Sequence, residues 1–145
     1  MLFTHKDKIE VKLFDANDYQ AENNCPILHI SLRDGLNPDE MKNTLEQILH
    51  SKTEWYVAYG PDALFWAQQA EMIKIAKIAE EVDSLYNFSS LSYEEDEPIN
   101  QAIHKLLGLS SLLNDNQVYE SFTIVSDSFE ETKRCLEAFG LSPQD

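Results

Sequence analysis

Along residues 8–14 apolar and polar side chains alternate: Ile9, Val11 and Leu13 fall on one face, Lys8, Glu10 and Lys12 on the other. Period-2 alternation marks a half-buried strand, and here it predicts one near a sheet edge. After the polar loop DANDYQAENN, Pro26 opens a second strand at 27–32. There Leu28, Ile30 and Leu32 share one face, and Ile27, His29 and Ser31 share the other. WYVAY at 55–59 is apolar throughout, the pattern of a central strand covered on both sides. SFTIV at 121–125 predicts the last strand.

Helical spacing fills the gaps. Asn37 can cap a helix that has Pro38 at its first position and Asp39 and Glu40 near its free amides, with Met41, Leu45, Ile48 and Leu49 as its stripe. Gly60-Pro61-Asp62 turns the chain into a long helix over 61–86 that packs on the sheet. Gln68, Glu71, Lys74, Lys77 and Glu81 make its polar stripe; Leu64, Phe65, Met72, Ile75, Ala79 and Val82 make the apolar one. A Ser/Asn/Tyr stretch at 84–93 breaks the pattern. A shorter helix at 99–107 turns Ile99, Ile103 and Leu106 inward. The last helix starts at Ser128, with Glu131 as capping-box partner, and ends near Gly140.

The predicted order is β-β-α-β-α-α-β-α, a single small α/β domain over residues 1–145 with four helices. Strands followed by helices imply a mixed, mostly parallel sheet of about four strands, with the first joined antiparallel. The chain is long enough to bury a core without staples, and 43% hydrophobic content argues for a packed globule. No apolar segment follows the charges of MLFTHKDKIE, so neither a signal peptide nor a membrane span is expected, and the profile is cytoplasmic. Cys25 and Cys135 lack CxxC spacing and are expected as reduced thiols.

Charge alters this ordinary picture. The chain carries 26 acids and 11 bases, a net −15. Residues 1–77 hold 12 acids and 8 bases; residues 78–145 hold 14 acids and only 3 bases. Between Lys77 and Lys105 come Glu80, Glu81, Asp83, Glu94, Glu95, Asp96 and Glu97 with no lysine or arginine among them. Such a field repels nucleic acid and anionic membrane and draws in basic partners.

Catalytic motifs are few. Asp34, Asp62 and Asp127 each follow a predicted parallel strand, where α/β sheets bind ligands, so together they could hold Mg²⁺. Aspartate is also a standard turn and helix-start residue at these places. His5, His29, His50 and His104 show no metal-ligand spacing, and no serine stands in a GxSxG elbow. His29, mid-strand, reads as a packing histidine, whereas His104 lies close to the acidic run. No cofactor or metal is expected.

One or two acids would satisfy the helix start after Pro98, but four stand there in succession. Tyr86, Phe88 and Tyr93 flank them, as aromatics often do on a protein-binding surface. In size, acidity and lack of a catalytic set, the chain resembles the small immunity proteins that bacteria use against nuclease toxins. That resemblance implies a non-enzymatic inhibitor whose acidic face occludes the active or substrate-binding site of one basic toxin domain. The face would comprise Glu80, Glu81, Asp83, Tyr86, Phe88, Tyr93, Glu94, Glu95, Asp96 and Glu97. A small metal-dependent enzyme using Asp34, Asp62 and Asp127, or a non-catalytic adaptor, are the alternatives.

Overall fold

The four strands expected from the hydrophobic pattern all join one sheet, and three more join them. A computed structural model of the chain describes residues 1–5, 9–19, 25–49, 53–80, 88–94, 98–108 and 119–144, without the side chains of 77–80. The strands are β1 (Leu2–His5), β2 (Ile9–Asp15), β3 (Ile27–Ile30), β4 (Trp55–Tyr59), β5 (Ser89–Tyr93), β6 (Ser121–Ser126) and β7 (Ser142–Gln144). Between them run α1 (Pro38–Ile48), α2 (Ala63–Glu80), α3 (Ile99–Gly108) and α4 (Phe129–Phe139). Among the described residues the sheet is seven-stranded, in the order β5-β4-β3-β6-β2-β1-β7. Strands β5 through β2 in that order are mutually parallel, while β1 lies antiparallel to both β2 and β7.

The expected count of about four strands is therefore corrected to seven. The three additions lie at or near the sheet's margins and bury little, so the hydrophobic pattern barely registers them: LFTH, the serine-rich SSLSY, and SPQ. The expectation for β2 also changes. It is interior, and it joins the other predicted strands parallel, through β6, where an antiparallel join was expected; its antiparallel partner is the added strand β1. Its alternation reports one exposed face, on which Glu10 and Lys12 meet solvent, not a sheet edge.

Two apolar layers flank the sheet. On one side Leu28, Ile30, Val57, Phe122 and Ile124 pack with Ala102, Ile103 and Leu106 of α3 and Leu136 of α4. On the other, Ile27, Tyr56, Ala58 and Val125 pack with Met41, Leu45 and Ile48 of α1 and with α2. Alternation along a strand assigns successive residues to opposite layers, as the split within β3 requires. The start of α1 forms as its sequence implies: Asn37 Oδ1 accepts from the Glu40 amide at 2.9 Å, and Asn37 Nδ2 donates to Glu40 Oε1 at 2.9 Å. At α4, Ser128 occupies the cap position without capping; its hydroxyl instead donates to Asp127 Oδ1 at 3.3 Å.

Helix α2 departs most from expectation. Its inward side is Ala63, Trp66, Ala67, Ala70, Ile73 and Lys74, all buried. Four members of the anticipated apolar stripe, Leu64, Phe65, Met72 and Ile75, are exposed. Apolar residues almost encircle this helix, so pattern alone cannot choose its inner side. Alanines let its backbone approach the sheet closely, and Trp66 fills the remaining space. Lys74, expected on a polar stripe, lies inside with its ammonium 5.4 Å from the Phe88 ring centre. The predicted helix end at 81–86 lies outside the described residues.

Gly60 holds the carboxyl ends of the strands together. Ser31 donates its amide to Tyr59 O at 3.0 Å, and Gly60 donates its own to Tyr93 O at 3.1 Å. This brings the two backbones so close that a Cβ on Gly60 would sit 1.8 Å from Ser31 O, at a φ of +136°. Gly60→Ala should cost roughly 3 kcal/mol or more, combining positive-φ strain with overpacking against backbone that cannot retreat. Urea unfolding followed by tryptophan fluorescence measures it; a loss under about 1 kcal/mol would contradict this packing.

Candidate functional site

Adjacent parallel strands β3 and β6 are followed by helices on opposite sides of the sheet, α1 on one and α4 on the other. That is a topological switch point, where α/β sheets open a crevice beyond their carboxyl ends. Asp34, Asp62 and Asp127 all follow strands there, and the structure gives them different duties. Asp127 Oδ1 accepts from the Leu32 amide at 3.0 Å, and Oδ2 accepts from the Ser31 hydroxyl at 3.0 Å. The Arg33 Nε lies 3.6 Å from Oδ2, and the Asp127 side chain is only 11% exposed. Asp62 Oδ2 accepts from the Gly35 amide at 3.2 Å. Asp34 is exposed. Two of the carboxylates thus satisfy loop amides left over by the strands, which gives them a structural duty. Among the described residues, no three His, Cys, Asp or Glu side chains gather where they could hold a metal ion.

His29 lies under α2. Its Nδ1 is 2.7 Å from the Tyr56 hydroxyl, and the Trp66 ring stands edge-on at 4.6 Å between centres. Burial lowers the His29 pKa to about 4, against the opposing pull of Asp127, and Arg33 lowers it further. Burial likewise pushes the Tyr56 phenol well above its ordinary range. Both groups are therefore neutral at physiological pH and share one hydrogen bond inside the core. They make a packing pair, as expected for His29, and not an acid–base pair open to substrate. At Cys25 and Cys135 burial raises the thiol above its ordinary range, keeping both protonated and poorly nucleophilic.

The anticipated acidic face is described only in part. Glu81, Asp83, Tyr86, Glu95, Asp96 and Glu97 lie outside the described residues, and Glu80 is described in its backbone alone. Glu94 is exposed directly after β5. Tyr93 is half-buried and lines an open groove of about 480 Å³ with Asn100, Gln101, His104, Lys105 and Phe139. Phe88 is 8% exposed and packs in the α1–α2 layer, so its ring belongs to the core and not to a binding surface. Its polar sequence surroundings concealed this, because the Lys74 contact that covers it comes from the preceding helix, α2, folded back over it.

Sequence reasoning missed the outward row on α2. Leu64 is 56% exposed, Phe65 38%, Met72 62% and Ile75 57%. Among the described residues these are the large exposed hydrophobics apart from Met1, and all four lie on one helix. The surplus of apolar residues around that helix was the available signal. Compared with protein-family models, curated proteins and solved structures, the chain matches none of them.

The neutral His29 gives a test of the core. Its folded pKa of about 4 lies below the ordinary 6.5, so the unfolded chain takes up a proton at a higher pH than the folded one. Stability from this group is complete above the unfolded value and falls as pH drops from 6.5 toward 4, by at most roughly 3 kcal/mol. To isolate this one group, the readout is the difference between wild type and His29→Gln in urea unfolding. That difference should shrink as the pH falls; parallel curves would show that His29 is not buried neutral.

Proposed function

We propose that this chain is an acidic binding protein whose partner is a basic protein, acting in the manner of the immunity proteins that neutralise nuclease toxins. The observation that carries the reading is the outward row of α2. An apolar centre with charge around it is the usual anatomy of a protein interface. Leu64, Phe65, Met72 and Ile75 supply such a centre. The acids that follow α2 and β5 in sequence, Glu80, Glu81, Asp83, Glu94, Glu95, Asp96 and Glu97, supply the charge. Tyr86 and Tyr93 accompany them, while Phe88 supports β5 from within the core.

The net charge of −15 favours a lysine- or arginine-rich partner and opposes nucleic acid. Carboxylates held on a folded surface can occupy a groove built for phosphates, so the mechanism is occlusion of the partner's active or substrate-binding site. The reading as a metal-dependent enzyme draws no support from Asp127, whose two oxygens accept from the Leu32 amide and the Ser31 hydroxyl, or from Asp62, whose Oδ2 accepts from the Gly35 amide.

The test is capture of the partner from the native cell with tagged protein at graded salt, followed by binding measurements on the purified pair. A Leu64→Gln/Met72→Gln/Ile75→Gln chain should fold normally, since exposed substitutions shift stability by only about 0.5 kcal/mol each. It should bind about a hundredfold more weakly or worse, through faster dissociation. Replacing Glu94, Glu95, Asp96 and Glu97 by the corresponding amides should slow association roughly tenfold at low salt and flatten its salt dependence. Equal binding by both folded variants would end the proposal.

A further inference from the structure

The two ends of the sheet are finished differently. Strand β7 has three exposed residues, and Pro143 within it has no amide proton to offer. Short strands and proline are standard ways of closing an edge to further pairing. Strand β5 has neither device, and SSLSY carries no charge. Ser89 donates its amide to Glu54 O at 2.8 Å, and Gly60 donates to Tyr93 O at 3.1 Å. By the period-2 rule, residues 89, 91 and 93 bond to β4, while Ser90 and Ser92 turn their amides and carbonyls away from the sheet. Among the described residues no strand lies beyond β5.

Helix α2 adds an apolar wall beside that edge. Leu64, Gln68, Glu71 and Ile75 are spaced i, i+4, i+7 and i+11, so they share one stripe. Glu71 Oε1 accepts from the Ser90 hydroxyl at 3.1 Å, which places the stripe over β5. The side chains that α2 buries lie on one side of Glu71, and the exposed Leu64 and Ile75 lie on the other.

Resting on the reading above, we infer that the partner binds by strand addition: one of its extended segments pairs with the free side of β5 and becomes an eighth strand. Outward amides and carbonyls are matched by another backbone, while Leu64 and Ile75 receive the segment's apolar side chains. The acids set the occupant's charge. Glu94 is exposed directly after β5 and the chain carries a net charge of −15, so a second copy would bring like charge to the same edge. Like charges facing one another disfavour the second copy and select a segment flanked by lysine or arginine.

The probe is an alternating valine–threonine peptide flanked by lysine pairs, titrated into the isotope-labelled full chain by NMR. The peptide should bind and slow hydrogen exchange of the Ser90 and Ser92 amides by about tenfold or more; a glutamate-flanked counterpart should not bind. Ser92→Pro removes an outward donor, and Ser92→Lys blunts the edge while leaving the backbone intact; each should weaken binding about tenfold. Three results would overturn the inference: no binding of the lysine-flanked peptide, unchanged binding by folded Ser92→Lys, or protection elsewhere than β5. Self-association of the unaltered chain through β5 would also overturn it, by making a second copy the occupant. The captured partner separates this inference from the reading beneath it. Loss of that partner in the α2 triple variant but not in Ser92→Lys would remove strand addition alone; indifference to both would remove both.

Discussion

Burial of the central strands on both sides is the constraint on which the remaining structure depends. All four residues of β3, and every residue of β4 after Trp55, are buried. Parallel strands cannot be joined by hairpins, so each return path crosses a face of the sheet, and those paths supply the cover. Helices α1 and α2 close one layer and α3 and α4 the other. For α2 the constraint works through size. Alanine at 63, 67 and 70 admits the helix close to the sheet, so the larger Leu64, Phe65, Met72 and Ile75 are left outside.

Crossovers of this kind also bring loops together at the carboxyl ends of the strands, where backbone groups lose their ladder partners. Gly60 meets one such demand by having no Cβ where the Ser31 carbonyl passes. Asp127 meets another by accepting from Leu32 and Ser31 together. A catalytic carboxylate needs a free oxygen directed at a substrate, whereas Asp127 directs both of its oxygens at its own fold. The same economy governs His29 and Tyr56. Each would be costly buried alone, and their mutual hydrogen bond makes the pair tolerable beneath α2.

Among the described residues, what is left over faces outward: a row of apolar side chains on α2, the outer edge of β5, and Glu94 directly after it. With the net charge of −15, these features are what the proposed docking rests on. In that proposal, long-range attraction would hasten encounter with a basic partner, while buried apolar area and backbone pairing would set how long the complex lasts.

The local sequence determined a good deal by itself. Alternation and apolar runs located β2, β3, β4 and β6, and capping chemistry located the start of α1, because these signals lie within a few neighbouring residues. The excess of acid, a net charge of −15, is likewise a property of composition. Tertiary structure alone decided the rest. Strands β5 and β7 exist through pairing with segments they do not adjoin in sequence, β1 is held between its neighbour β2 and the distant β7, and the side chains of all three bury too little to announce them. The parallel placement of β2 beside β6 joins residues more than a hundred positions apart. The choice of inner face on α2 needed the sheet as a template, since a helix apolar on nearly every side has no preferred orientation until its closest packing is found. That choice put Lys74 and Phe88 inside and Leu64, Phe65, Met72 and Ile75 outside, and so created the candidate surface.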